Sequence, residues 1–220
     1  MIRAALEARC LAFLQQQLDD DPAHDLSHVK RVVNNTLYLT DIEAANESIT
    51  LAAAWLHDCV PVPKDSPDRS RASRLAADAA VAFLAGTEFP QRWLEAVHHA
   101  IEAHSFSAGI DPRTLEARIV QDADRLEALG AIGIARCLMT GARMGTSLYA
   151  EDDPFCAGRA PDDRRYTLDH FYQKLFTLPD TMRTRAGRQE ARRRVAYMQQ
   201  FLEQLAGEIG ADGGIGPATG

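Results

Sequence analysis

The chain has 220 residues, 46% of them hydrophobic and 25% charged, with a formal net charge of -7. That length supports one well-buried core or at most two small domains, and the composition is that of an ordinary soluble globular protein. The negative balance argues against a general nucleic-acid or membrane surface, while leaving room for a local basic pocket for phosphates.

Four cysteines, Cys10, Cys59, Cys137 and Cys156, are widely spaced and form no CxxC pair. Neither a zinc ribbon nor a disulfide framework is therefore expected. Glu7 interrupts the apolar core that a signal peptide would need, and no apolar run approaches the roughly 18–20 residues of a membrane span. The expectation is a cytoplasmic, reduced, single-domain protein.

In chain order the pattern is helical nearly throughout. Leu6, Cys10, Phe13, Leu14 and Leu18 form a helical stripe that ends at Asp19-Asp20-Asp21-Pro22. Asp25 or Ser27 can cap a second helix running through Thr40, with His28 in its first turn. Ser48 can cap a third, which carries Ala52-Ala53-Ala54-Trp55-Leu56-His57-Asp58-Cys59 and is stopped by Pro61 and Pro63. A polar, turn-rich stretch from Lys64 to Arg71 leads into an alanine-rich helix ending near Gly86. Pro90 opens a helix with Trp93, His98, His99 and His104, and Pro112 opens another that reaches Asp122.

The run from Leu126 to Met144 reads as a central buried helix, with Ile132, Ile134, Leu138 and Met139 in the core. Gly145 to Arg165 is a long loop rich in Gly, Asp and Pro. Helices over Thr167–Leu178 and roughly Arg183–Glu208 follow, and then a Gly-rich tail. No strand pattern, repeat or interdomain linker is visible. The fold class is all-α, with one domain over 1–208 and a flexible tail over 209–220.

Chemistry enters at His57-Asp58. An ionisable pair at the end of an Ala, Trp and Leu helix is costly unless something compensates both groups. A metal ion takes neutral imidazole and ionised carboxylate together. His28 upstream and Asp122 downstream, in Val120-Gln121-Asp122-Ala123-Asp124, would complete two imidazoles and two carboxylates. That nitrogen and oxygen set suits Mn, Fe, Zn, Ni or Mg better than a thiolate-selective ion. Asp124 lies about 200° round the helix from Asp122, so both cannot easily bind one ion, and a local hydrogen bond or ion pair is its expected role.

His28, then His57-Asp58, then Asp122 resembles the H…HD…D signature of the HD-domain metal-dependent phosphohydrolase superfamily. The stretches His24-Asp25-Leu26-Ser27-His28, Gln121 through Gly133, Asp152-Asp153-Pro154-Phe155 and His170-Phe171-Tyr172-Gln173-Lys174-Leu175 look like one bacterial branch of it. Members of that branch are known mainly as HD hydrolases, and some relatives are nucleoside triphosphate pyrophosphohydrolases. The resemblance runs from near the amino terminus to about Glu208. It implies a helical fold with one divalent ion held by His28, His57, Asp58 and Asp122, and gives no indication of a second.

It also implies hydrolysis of a nucleotide, from triphosphate to monophosphate and pyrophosphate. Phosphomonoester or phosphodiester hydrolysis, or a metal-retaining binding module, are the alternatives. Some small nucleotidases of the superfamily carry a glutamate three residues after the HD aspartate. Here that position is Pro61, and the nearest later carboxylate is Asp65, which joins Asp58 as a candidate catalytic group.

Phosphate charge calls for cations. Lys64, Arg125, Arg71 and Lys174 are the candidates, with Lys64 and Arg125 first. His24 and Asp25 are expected to orient a ligand from behind it. His98, His99 and His104 have satisfied, partly buried histidines as their default reading, with His104 on one helical face with Val97 and Ile101. Cys59 reads as a small buried apolar group. The arginines at 183, 185, 188, 192, 193 and 194 read as a solvated helix face. The expected partner is a small nucleotide, without nucleic acid or membrane, and the protein a monomer or homodimer.

Overall fold

In the computed structural model, residues 3–18, 26–62, 66, 70–105 and 108–211 are described. The expectations for His24, Asp25, Lys64, Asp65 and the tail beyond residue 211 lie outside them. The fold is all-α: α1 (Arg3–Leu18), α2 (Leu26–Glu43), α3 (Glu47–Leu56), α4 (Ala72–Ala85), α5 (Leu94–Glu102), α6 (Leu115–Arg125), α7 (Gly130–Met144), α8 (Asp169–Gln173), α9 (Leu178–Thr181) and α10 (Arg185–Glu208). Among the described residues the only β pairing is an isolated bridge between Ser147 and Tyr166. None of the described helices is long and apolar enough to cross a membrane. The contacts group into two compact units, one up to Asp124 and the other from Arg125 onward.

The first unit is built around α3. Every residue from Ile49 to Leu56 is buried, which is the mark of a helix surrounded by others rather than one with a solvent face. It packs against α1, α2, α4 and α5. The apolar stripe of α1 supplies buried Leu6, Cys10 and Leu14, and Phe13 stacks on Phe83 of α4 with ring centroids 4.2 Å apart. The N-cap of α3 is Asn46 rather than the expected Ser48: the Asn46 side chain accepts from the backbone N–H of Ser48 and Ile49. α2 runs to Glu43, three residues beyond the expected end. The last helix of the unit, α6, is tied in where Asn35 Nδ2 donates to Ala123 O at 3.2 Å and Gln121 Nε2 donates to Ala103 O at 2.7 Å.

The second unit departs more from the sequence reading. The run from Leu126 to Met144 is a short 3-10 turn followed by α7, and α7 is not buried all round. Ile134 is buried, but Ile132 is 38% and Met139 68% exposed. Small residues make the contact instead: a Cβ at Gly141 would fall 2.1 Å from Thr167 Oγ1. Gly145, at φ +70°, closes α7 in the left-handed conformation while its N–H returns to the helix carbonyls. α7 also packs on α10.

The stretch expected as a plain loop is organised. Arg159 makes two bonds to the fully buried Asp169 carboxylate at 2.5 and 2.7 Å, and Asp162 N–H adds a third at 2.6 Å. The Asp153 carboxylate accepts from Ala157 and Gly158 N–H. Of the arginines in and just before α10, Arg183, Arg185, Arg188, Arg192 and Arg193 are exposed as expected, but Arg194 turns inward. Its guanidinium bonds Glu190 and the Leu126 carbonyl.

Candidate metal centre

Helix ends converge at one point of the first unit. His57 sits just past the C-terminus of α3, Asp58 follows it, and His28 lies in the first turn of α2. Ligand atoms of His28, His57 and Asp58 all lie within 4.8 Å of one another. The His28 and His57 rings meet edge to face, with centroids 5.5 Å apart.

His57 carries a nitrogen that no described residue pairs. Its Nδ1 lies 2.7 Å from the Ala54 carbonyl oxygen, so the ring donates there and presents its other nitrogen as a lone pair. That Nε2 is buried and has no hydrogen-bond partner among the described residues. It faces Asp58 Oδ2 at 3.5 Å. Two acceptors facing each other in a buried place repel unless a cation stands between them. Burial holds the His57 imidazole below its usual pKa, outweighing the neighbouring carboxylates, so the ring is in the neutral form that binds metals. Two imidazoles and a carboxylate are a fitting donor set for a divalent ion.

The carboxylate that α6 brings is not the one expected. Asp124, not Asp122, stands by the histidines, with Oδ1 3.4 Å from His28 Nε2. Burial alone would raise the Asp124 carboxyl, but His28, with His57 and His104 beyond it, holds it below the usual range and ionised. Asp122 is fully buried and absent from the cluster of His28, His57 and Asp58. With Asp124 turned to the histidines, the 200° between i and i+2 turns Asp122 away.

The second miss is His104. α5 ends at Glu102, so His104 is not on a helical face with Val97 and Ile101 but in the turn beyond. Its buried ring meets His57 edge to face at 5.0 Å, and its Nε2 lies 3.5 Å from Asp58 Oδ1. Burial works against its charged form, yet the contact with Asp58 raises its pKa overall. The other two histidines follow the default reading. His98 Nε2 pairs with Asp78 at 2.8 Å, and His99 Nε2 accepts from Arg113 N–H at 3.0 Å. Cys59 is buried as expected, its thiol donating to the Ala76 carbonyl.

Of the four cations proposed for phosphate, Lys64 lies outside the described residues. Arg71, at the start of α4, and Lys174, at the end of α8, are exposed. Arg125 commits Nη1 to the Thr181 carbonyl at 2.6 Å. In the second unit a cavity of about 280 Å³ is lined by Arg136, Cys137, Thr140, Asp163 and His170, among others. There His170 Nδ1 pairs with Asp163 at 2.7 Å. His170 belongs to one of the stretches already singled out, whereas Arg136 carried no signal in the sequence.

Residues 25–129 match the HD domain family. YpgQ of Bacillus subtilis strain 168, an uncharacterised protein, is 34% identical over 195 residues, 87% of each chain. The crystal structure of YpgQ in complex with ADP superposes with a TM-score of 0.71 at 30% identity, covering 96% of this chain and 98% of that one. An HD-superfamily hydrolase from Bacillus thuringiensis gives a TM-score of 0.74 at 33% identity, covering 95% and 98%. With the His57-Asp58 pair inside the matched region, this chain belongs to the HD-domain phosphohydrolase superfamily.

Proposed function

We propose that the protein is a divalent-metal phosphohydrolase that cleaves a nucleoside triphosphate to the monophosphate and pyrophosphate. The observation that carries the metal is the buried, unpartnered His57 Nε2 facing the Asp58 carboxylate. ADP in the YpgQ structure supports a nucleotide as the ligand class. Superfamily membership supports hydrolysis.

In this reading His28, His57, Asp58 and Asp124 hold the ion, with Asp124 replacing the Asp122 of the sequence reading. When bound, a divalent ion lowers the pKa of water and polarises a phosphoryl oxygen. The chain's part is to hold three of those donors on helix ends whose packing is complete, so that little reorganisation remains on binding. His57 is kept neutral by burial and oriented by Ala54 O. Lys64, Arg71, Arg125 and Lys174 remain the proposed phosphate contacts, and 1–208 the proposed HD domain.

The test is a product assay on Mn-loaded protein with nucleoside tri-, di- and monophosphates, resolving pyrophosphate from orthophosphate. Pyrophosphate from a triphosphate, lost in Asp58→Ala, is the expected result. Orthophosphate from a monophosphate would replace the reading with a nucleotidase. Binding without product would make the protein a nucleotide-binding module.

A further inference from the structure

We propose that the cavity of the second unit binds a nucleobase, with Arg136, Thr140 and His170 meeting the hydrogen-bonding edge of the ring. The choice of a nucleobase among flat heterocycles rests on the nucleotide reading above.

The cavity lies between α7 and the residues that lead into and through α8. Part of its polar lining is satisfied within the wall. Cys137 Sγ donates to the Thr167 carbonyl at 3.6 Å, and the Thr146 and Thr167 hydroxyls meet at 2.7 Å. Leu175 and Met144 add apolar surface. Met144 is 62% exposed, so a ligand seated against it covers carbon that water otherwise wets.

The rest of the polar lining is Arg136, Thr140 and the Asp163–His170 pair. His170 Nδ1 lies 2.7 Å from Asp163 Oδ2. A carboxylate only accepts, so the ring donates there, and the neutral imidazole offers Nε2 as an acceptor. Arg136 brings donors. Its Nη1 also stands 3.8 Å from Glu127, and a guanidinium with five N–H groups can hold that carboxylate and a ligand together. Thr140, one helical turn beyond Arg136, adds a hydroxyl that donates or accepts.

Charge and size select the class of ligand. Among the described lining residues Arg136 is the one guanidinium and Asp163 the one carboxylate, so with a neutral His170 the lining has no net charge. A phosphate entering it would meet Asp163 as well as Arg136. Cavities for whole drug-sized molecules run to about 300–1,000 Å³. At about 280 Å³ this one suits a single ring system rather than an entire nucleotide. A nucleobase is flat and uncharged, apolar on its faces, with donors and acceptors along its edge. Leu175 and Met144 match the faces, and Arg136, Thr140 and His170 match the edge.

The test uses metal-free protein in EDTA, titrated with adenosine, guanosine, cytidine and uridine and followed by saturation-transfer difference NMR. Nucleosides carry no phosphate, so neither an ion nor turnover is needed. His170→Phe keeps a ring and removes the acceptor. Arg136→Met keeps the stem and removes the donors. Arg143→Met, on the same helix but outside the lining, is the control, and circular dichroism checks the fold of each.

The expected result is saturation transfer to the base protons of at least one nucleoside. Its Kd should be about tenfold weaker in His170→Phe and in Arg136→Met, the worth of one hydrogen bond, and unchanged in Arg143→Met. No transfer from any nucleoside overturns the proposal, as does a Kd that neither lining variant moves. Binding of inorganic pyrophosphate in place of the nucleosides overturns it too, and makes the cavity an anion site. With Mn-loaded protein turning over a triphosphate, competitive inhibition by the bound nucleoside assigns the pocket to the substrate's own base, and non-competitive inhibition to a separate nucleoside. Turnover without nucleoside binding sinks this inference and leaves the hydrolase reading standing, whereas binding without turnover does the reverse.

Discussion

Asp58 and Asp169, one in each compact unit, are carboxylates set among apolar helices, and they are finished in opposite ways. Asp169 is fully buried and saturated: two bonds from Arg159 and one from Asp162 N–H occupy both oxygens. Among the described residues no lysine or arginine pairs with Asp58. Its neighbours are two imidazole nitrogens at 3.5 Å, one of which belongs to a neutral, orphaned ring. A buried carboxylate saturated by the chain's own donors is structure, whereas one left nearly half accessible beside an orphaned imidazole is a candidate site. Each stands next to a histidine in the chain, and the partners distinguish them.

The comparison predicts a division of effects, which Asp58→Asn and Arg159→Ala should reveal. Asp58→Asn removes a proposed metal ligand that no described lysine or arginine pairs with. Turnover should fall about a thousandfold, since a Lewis-acid ion is worth several kcal/mol in the transition state and each 1.36 kcal/mol is tenfold. Metal-free folding stability, read by urea denaturation, should change by no more than about 1–2 kcal/mol. A thousandfold loss accompanied by a collapse of stability would make Asp58 a structural group like Asp169.

Arg159→Ala tests the other half. It leaves the Asp169 carboxylate buried without its counter-charge, and breaking such a pair costs about 3–5 kcal/mol. Urea denaturation should show that loss, while Mn²⁺ affinity of the folded protein stays within about twofold, as for independent sites. A large drop in Mn²⁺ affinity would mean that the Asp169 network supports the metal centre.

Much of this was legible in the sequence, though unevenly. Helical periodicity located nearly every element, and the apolar run into His57-Asp58 marked the pair that the fold brings to His28. Of Asp122 and Asp124, which about 200° of helix separates, the sequence reading chose Asp122, whereas it is Asp124 that stands at His28. Which one faces the histidines depends on how α6 is rotated against its neighbours, and that is fixed by contacts such as Gln121 to Ala103 O, 18 residues apart. His104 escaped for a similar reason: its spacing from Val97 and Ile101 suits a helix that has already ended at Glu102. In the second unit the hydrophobic residues of α7 gave no sign that Met139 would be left in solvent.

Acid adds a pH version of the same contrast. Burial alone would raise the Asp169 carboxyl, but Arg159 holds it below the usual range. A folded-state pKa depressed in this way stabilises the protein fully above the unfolded value, about 3.9. The contribution is lost as pH falls through the folded value. Stability should therefore carry no Asp169-linked slope between about pH 7 and 5, and should decline below about pH 4. Asp169→Asn should flatten that decline, as measured by urea denaturation across the range. An unchanged acid limb in the variant would show that other carboxylates dominate it.

The smallest effect expected is at the far end of the helix that carries the site. Asn46 caps α3 by accepting from Ser48 and Ile49 N–H at 3.1 and 3.4 Å, and its own N–H donates to Glu116 Oε1 of α6 at 3.2 Å. Asn46→Ala should cost about 1 kcal/mol, the usual worth of an N-cap side chain. Mn²⁺ affinity should barely move. The position of His57-Asp58 is set by the burial of every residue from Ile49 to Leu56, not by the first turn, and an apolar helix packed on all sides does not slide when one end frays. If affinity falls in step with stability, the packing around α3 is looser than its burial implies, and the cap takes part in aiming the proposed ligands His57 and Asp58 at the other end of the helix.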